Sequence, residues 1–106
     1  NDEVLDSTFQ YDILKNEWIK LETKGKAPKG RHGHSAIIHE NNMYIFGGYL
    51  NDSYPSSNEL FCLNLESNYW KKISLFGNLL EPRAFQTVVL KDNDLYIYGG
   101  IFPFLV

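Results

Sequence analysis

The sequence is poor in cysteine: Cys62 is the single thiol in 106 residues. A lone cysteine forms no intramolecular disulfide and builds no four-cysteine zinc site. A reducing compartment, and hence a cytoplasmic location, is the expectation. Long apolar runs are missing too. No stretch approaches the roughly 20 residues that cross a bilayer as a helix. The opening NDEVLDSTFQYD is acidic and lacks the basic-then-apolar order of a secretory signal. Net charge is only -3, which argues against nucleic acid or a membrane as the main partner. One glycosylation sequon, Asn51-Asp52-Ser53, has no expected role in a cytosolic chain. No window carries convincing helical periodicity. Aromatic residues, in contrast, are plentiful at 15% within a hydrophobic total of 43%, a composition that favours strands and supplies a core.

The chain repeats itself. Trp18 and Trp70 stand 52 residues apart, and so do Gly47-Gly48 and Gly99-Gly100. The same offset relates Tyr44 to Tyr96, Arg31 to Arg83, Gly25 to Gly77 and Phe9 to Phe61, with no gaps. Within a repeat, Ser35–Ile38 is a short β-prone run. A turn at 39–42 follows, in residues that tolerate tight geometry. Met43–Phe46 is continuously apolar up to the glycine pair, as in a strand covered on both faces. Phe61, Leu63 and Leu65 alternate with Cys62, Asn64 and Glu66, the pattern of a half-buried strand. A turn at Ser67-Asn68 leads to a fourth strand, 69–73. Four short antiparallel strands per repeat of about 50 residues indicate propeller blades. The expected class is therefore all-β, a partial β-propeller with one full blade and two half blades.

These residues also carry a family resemblance. RHGHSAIIHENNMYIFGG followed by NELFCLNLESNYW resembles a kelch repeat, with its arginine, His-Ser, second-strand tyrosine, double glycine and tryptophan. FQYDILKNEW is similar to the last half of a preceding repeat, and PRAFQTVVLKDNDLYIYGG to the first half of a following one. Gln86 stands where the earlier repeat has His34, and Leu80 where it has Pro28. The resemblance implies outer strands and a linker at 1–30, a complete blade at 31–75 and inner strands at 76–106. Kelch propellers usually have five to seven blades, so further blades are expected from a longer parent chain or from other copies.

The resemblance implies a module that binds a protein partner as scaffold or adaptor, not an enzyme. Alternatives are a part of a kelch-type enzyme and a purely structural spacer. No cofactor is expected. In an antiparallel meander, the turns at 39–42, 67–68 and 91–94 share one face, and the linkers 22–33 and 74–84 share the other with the loop 49–58. Binding residues concentrate on long loops over rigid scaffolds. The candidate contact residues are therefore Lys24, Lys26, Lys29, His32, Tyr49, Asp52, Tyr54, Phe76 and Leu79.

The residues that recur at the repeat spacing read as structural: Trp18, Arg31, His34, Tyr44, Gly47, Gly48, Trp70, Arg83, Tyr96, Gly99 and Gly100. The tryptophans and tyrosines are expected in blade-to-blade packing, the arginines in hydrogen bonds that tie blades together. The glycine pairs lack the strand-loop-helix setting of a phosphate site. His32 and His34 would share a strand face, yet no third ligand has a fitting spacing, and no metal is expected. Cys62, mid-strand, reads as a small packed residue.

Overall fold

The computed structural model describes residues 3–50 and 56–102. Among these residues there are nine strands and no helix. Strands β1 (Phe9–Asp12) and β2 (Glu17–Lys20) form an antiparallel hairpin. Strand β3 (Lys24–Gly25) follows. Strands β4 (Ser35–His39), β5 (Asn42–Phe46), β6 (Leu60–Asn64) and β7 (Tyr69–Lys72) form a meander. Strands β8 (Thr87–Lys91) and β9 (Asp94–Tyr98) make a second hairpin. The inner strands β4 and β8 lie side by side, as they would around a propeller axis.

The 52-residue period is written into the backbone. Among the described residues, the positive-φ positions fall into pairs: Asn16 with Asn68, Gly25 with Gly77, Gly33 with Phe85, Glu40 with Asp92, and the two glycine doublets. Turn chemistry repeats as well. Asp12 Oδ1 accepts from the amides of Leu14 and Lys15 at 3.0 Å, and Asn64 Oδ1 accepts from Glu66 and Ser67 at 2.9 Å. A short polar side chain that bonds its own turn fixes the hairpin locally.

The core belongs to the complete blade. Ile45, Phe61, Leu63 and Trp70 cluster together, and Met43 packs against them. Leu63 is fully buried. The sequence pattern predicts a half-buried β6; instead Phe61, Cys62 and Leu63 are buried in succession. Strand β6 is the middle of five, and Cys62 sits between Tyr44 and Lys71 in register. Those long neighbours cover a small thiol that alternation alone leaves outside. Trp70 packs against Ile45, Phe61 and Leu63 of its own blade.

Strand β3 was not legible in the linker. Lys24 and Gly25 pair in parallel with Tyr69 and Trp70, adding a fifth strand to the outer edge of the blade that follows them in sequence. Gly25 has φ +84°, and a Cβ there would overlap the Trp70 carbonyl oxygen and crowd the Tyr69 ring. Gly77, at φ +80°, meets no such neighbour. Both glycine-to-alanine changes carry the strain of a positive φ, about 1 kcal/mol. Gly25→Ala adds a clash with backbone and is expected to cost about 2 kcal/mol in total. Urea denaturation of the two variants checks this; equal losses would mean that β3 does not dock on β7.

Candidate functional site

Adjacent blades are joined by backbone and by the side chains of Ser35, Gln86 and Asn58, whose Nδ2 donates to Leu80 O at 2.9 Å. Gly48 N donates to Arg83 O at 2.9 Å, and Arg83 N to Ser57 O at 3.1 Å. A Cβ on Gly47 would sit 2.7 Å from Arg83 O, so the first doublet leaves room for the next blade's main chain. Gln86 Nε2 donates to Ser35 Oγ at 2.8 Å and to Phe46 O at 3.1 Å, while Ser35 Oγ donates to Gln86 O. The residue that departs from the repeat thus staples the seam.

The arginines act within blades and not between them. Buried Arg31 donates to Lys29 O and to Gly47 O, at 3.1 and 3.0 Å. It lies 5.3 Å over the Phe61 ring and 3.8 Å from Glu59. Arg83 repeats the pattern with Glu81 O and Gly99 O. Burial lowers the Arg31 pKa, against the opposing pull of Glu59.

Burial alone would raise the Glu59 carboxyl. Lys72 at 2.8 Å, Ser57 and Arg31 outweigh it, and the net shift is downward. A carboxylate with a lowered folded pKa adds stability that is in place above its unfolded value, about 4.3, and is lost as pH falls through the folded value. The chain is expected to lose stability below about pH 4, and Glu59→Gln to flatten that profile. Acid titrations followed by circular dichroism test this; superimposable curves would refute it.

Five of the expected contact residues, His32, Tyr49, Lys26, Phe76 and Leu79, fall in two regions. The first is an aromatic patch beside the inner strands. His32 and Tyr49 exchange backbone hydrogen bonds, at 3.1 and 2.7 Å, and their rings lie 5.4 Å apart. Phe85 completes the patch, 6.3 Å from His32 and 5.5 Å from Tyr49. Its amide donates to Gly33 O at 2.8 Å, and its ring shields Gly33, where an added Cβ would lie 3.1 Å away. The ring itself remains 58% exposed.

Phe85 was missed by sequence reasoning. Its signal is the repeat: Gly33 at φ +71° is its counterpart, and Phe85 adopts φ +61°. A bulky residue in the left-handed region is a genuine outlier, held there by its surroundings. A large exposed ring kept in a strained position where the repeat has glycine points to use rather than packing.

The second region is a groove of about 500 Å³ toward the outer edge, lined by Lys26, Glu59, Lys72, Leu75 and Leu79 among others. An apolar hollow of about 220 Å³ adjoins it, formed by Phe46, Leu60, Phe76, Leu79, Leu95 and Ile97 among others. Phe76 is 90% exposed. Lys24 is held on β3, and Lys29 stays at the surface with its carbonyl on Arg31. Arg31, basic like the lysines before it in the linker, turns inward. Asp52 and Tyr54 lie outside the described residues.

His32 and His34 do not share a strand face, since Gly33 at φ +71° separates them and neither belongs to a named strand. Burial, then Arg31 and His32, lower the His34 pKa. Among the described residues, no three His, Cys, Asp or Glu side chains gather as a metal site. Tyr44 lies opposite Cys62 across β5 and β6, and burial, then Cys62, raises its phenol pKa. Trp18, Tyr96, Gly99 and Gly100 are exposed.

The family model for the KLHDC2/KLHL20/DRC7 Kelch-repeats domain matches residues 1–102. Kelch domain-containing protein 3 of Rattus norvegicus is 30% identical over 92 residues, covering 87% of this chain and 24% of that protein. Kelch repeat-containing protein 2 of Saccharomyces cerevisiae is 30% identical over 108 residues, covering 92% and 12%. Ras guanine nucleotide exchange factor F of Dictyostelium discoideum is 30% identical over 92 residues, covering 87% and 8%. The chain thus spans a quarter or less of the length of these relatives.

Proposed function

We propose, from the premise that this chain belongs to the kelch-repeat domain family, that it holds a protein partner through the aromatic patch of His32, Tyr49 and Phe85. Kelch repeats serve in general as protein-interaction modules; the patch is the finer part of the proposal. The observation that carries it is Phe85, strained and exposed where the repeat has glycine. Aromatic rings on a rigid frame supply contact area at low entropic cost and dominate interface energetics. Phe76, Leu79 and Lys26 of the groove and hollow are outer contacts in this reading, and Asp52 and Tyr54, outside the described residues, are further proposed contacts. The module is a non-catalytic scaffold or adaptor, and its buried free Cys62 suits the cytoplasm.

The test compares proteins retained by immobilised wild-type chain with those retained by Tyr49→Ala, by Tyr54→Ala/Phe76→Ala and by a turn-face control, Ser67→Lys. Loss of the same species in the first two, with the control intact, is the expected result. Retention by a folded Tyr49→Ala chain would overturn the inner contact. Retention by a folded Tyr54→Ala/Phe76→Ala chain would remove the outer one.

A further inference from the structure

The linker that follows the complete blade carries a serine in a distinctive setting. Among the serines and threonines of the sequence, only Ser74 has Lys or Arg both two and three positions before it, at Lys72 and Lys71. Both lysines are exposed at the end of β7. Strand β3 ends opposite Trp70, before either of them. Residues 73–76 then leave the sheet without regular structure, and Ser74 is exposed there.

The repeat shows that this exposure belongs to the position. Ser74 follows a blade whose strands β4, β5, β6 and β7 are all present. Its counterpart one repeat earlier, Glu22, precedes that same blade and is exposed too. The repeat thus already places an anionic side chain at this point of the linker.

Ser74, Lys26 and Lys72 line one groove, that of about 500 Å³. Lys72 is held by Glu59 at 2.8 Å, and Lys26 makes no ion pair among the described residues. With two lysines and one carboxylate, the groove is left net positive. A phosphoryl group adds a charge of about -2 and three strong acceptor oxygens, and it is stabilised where cationic side chains face it.

We infer that Ser74 is a phosphorylation site, and that Lys26 and Lys72 hold its phosphate in the groove. The donor is a nucleoside triphosphate, delivered by a serine kinase of the class that reads two basic side chains ahead of its target. Ser74 Oγ attacks the terminal phosphorus, and an Oγ–P bond forms. The bond from that phosphorus to the bridging oxygen breaks, and nucleoside diphosphate leaves. The hydroxyl proton passes to the kinase's catalytic carboxylate. The phosphate then competes with Glu59 for Lys72 and turns the groove from net positive to net negative beside Leu79. This inference stands apart from the aromatic patch and does not depend on it.

The test treats the chain with ATP, Mg²⁺ and a kinase of that class, and locates phosphate by mass spectrometry of peptides. One phosphate on Ser74 is expected, and none on this peptide in Ser74→Ala. Lys71→Ala/Lys72→Ala should react at least about tenfold more slowly. No phosphate on Ser74, or an equal rate for the lysine variant, would overturn the site. An unfolded chain is also a substrate, so the second measurement is the phosphate's own titration, followed by phosphorus NMR. An unconstrained phosphoserine takes up its second proton near pH about 6. Held by two lysines, it should do so about 0.5 lower or more, and urea or Lys26→Ala should restore the ordinary value. The ordinary value in the native chain would overturn the part assigned to Lys26 and Lys72.

Discussion

Replacing Trp70 with alanine is expected to remove about 3–5 kcal/mol of folding stability, whereas Trp18→Ala should cost under about 1 kcal/mol. The two tryptophans hold the same place in the repeat and differ in what covers them. Trp70 is packed against Ile45, Phe61 and Leu63, opposite Leu63 in the β6–β7 register. Its carbonyl also accepts from Lys26 N at 3.0 Å, anchoring the fifth strand. Trp18 leans on Tyr11, ring centroids 5.0 Å apart, and otherwise faces solvent. A domain commonly holds only about 5–15 kcal/mol in total, so the first loss removes a large share of it. Each variant keeps one indole, so fluorescence during urea denaturation reports each site alone. The indole left in Trp18→Ala should emit as a buried ring until the blade unfolds. Equal stability losses would contradict the burial contrast.

The repeat made the architecture legible because turn and packing requirements recur residue by residue. Tryptophan, tyrosine and glycine doublets at one offset indicate strands and blade order without any long-range information. The exposure of each repeated residue differs with the strands beside it. Trp18 and Trp70 read alike in sequence, and only the presence of β6 beside β5 separates a core residue from an exposed one. Arg31 and Arg83 were expected between blades, yet a guanidinium that reaches Gly47 O or Gly99 O closes its own blade. The seam is made by main chain and by the side chains of Ser35, Asn58 and Gln86, and backbone contacts leave little trace in side-chain pattern. The fifth strand at Lys24–Gly25 is two residues long, too short for periodicity to mark. Loop length placed His32 and Tyr49 at one end of the strands, where their rings lie 5.4 Å apart. Phe85 was visible only as a break in the repeat, where Gly33 has its counterpart.

That break leads to a substitution in which folding and binding part ways. Phe85→Gly is expected to leave stability within about 1 kcal/mol of wild type, while weakening partner binding by about 2 kcal/mol or more, roughly thirtyfold. Glycine takes the left-handed conformation freely, as Gly33 does at φ +71°, and relief of strain offsets the lost ring contacts with His32 and Tyr49. The amide that donates to Gly33 O is retained, so the seam keeps its backbone hydrogen bond. Phe85→Asn gives a second check, since asparagine tolerates the same backbone but offers no ring. The measurements are urea denaturation and affinity for whichever protein the wild-type chain retains, with Phe85→Tyr as the conservative control. Phe85→Tyr should keep most of the affinity, as its ring fills the same place against Tyr49. If Phe85→Gly bound as well as wild type, the exposed ring would have no part in recognition, and the contact would have to move outward to Phe76 and Leu79. If it unfolded the chain instead, the ring would be structural support for Gly33, and the strain at this position would belong to the seam between blades.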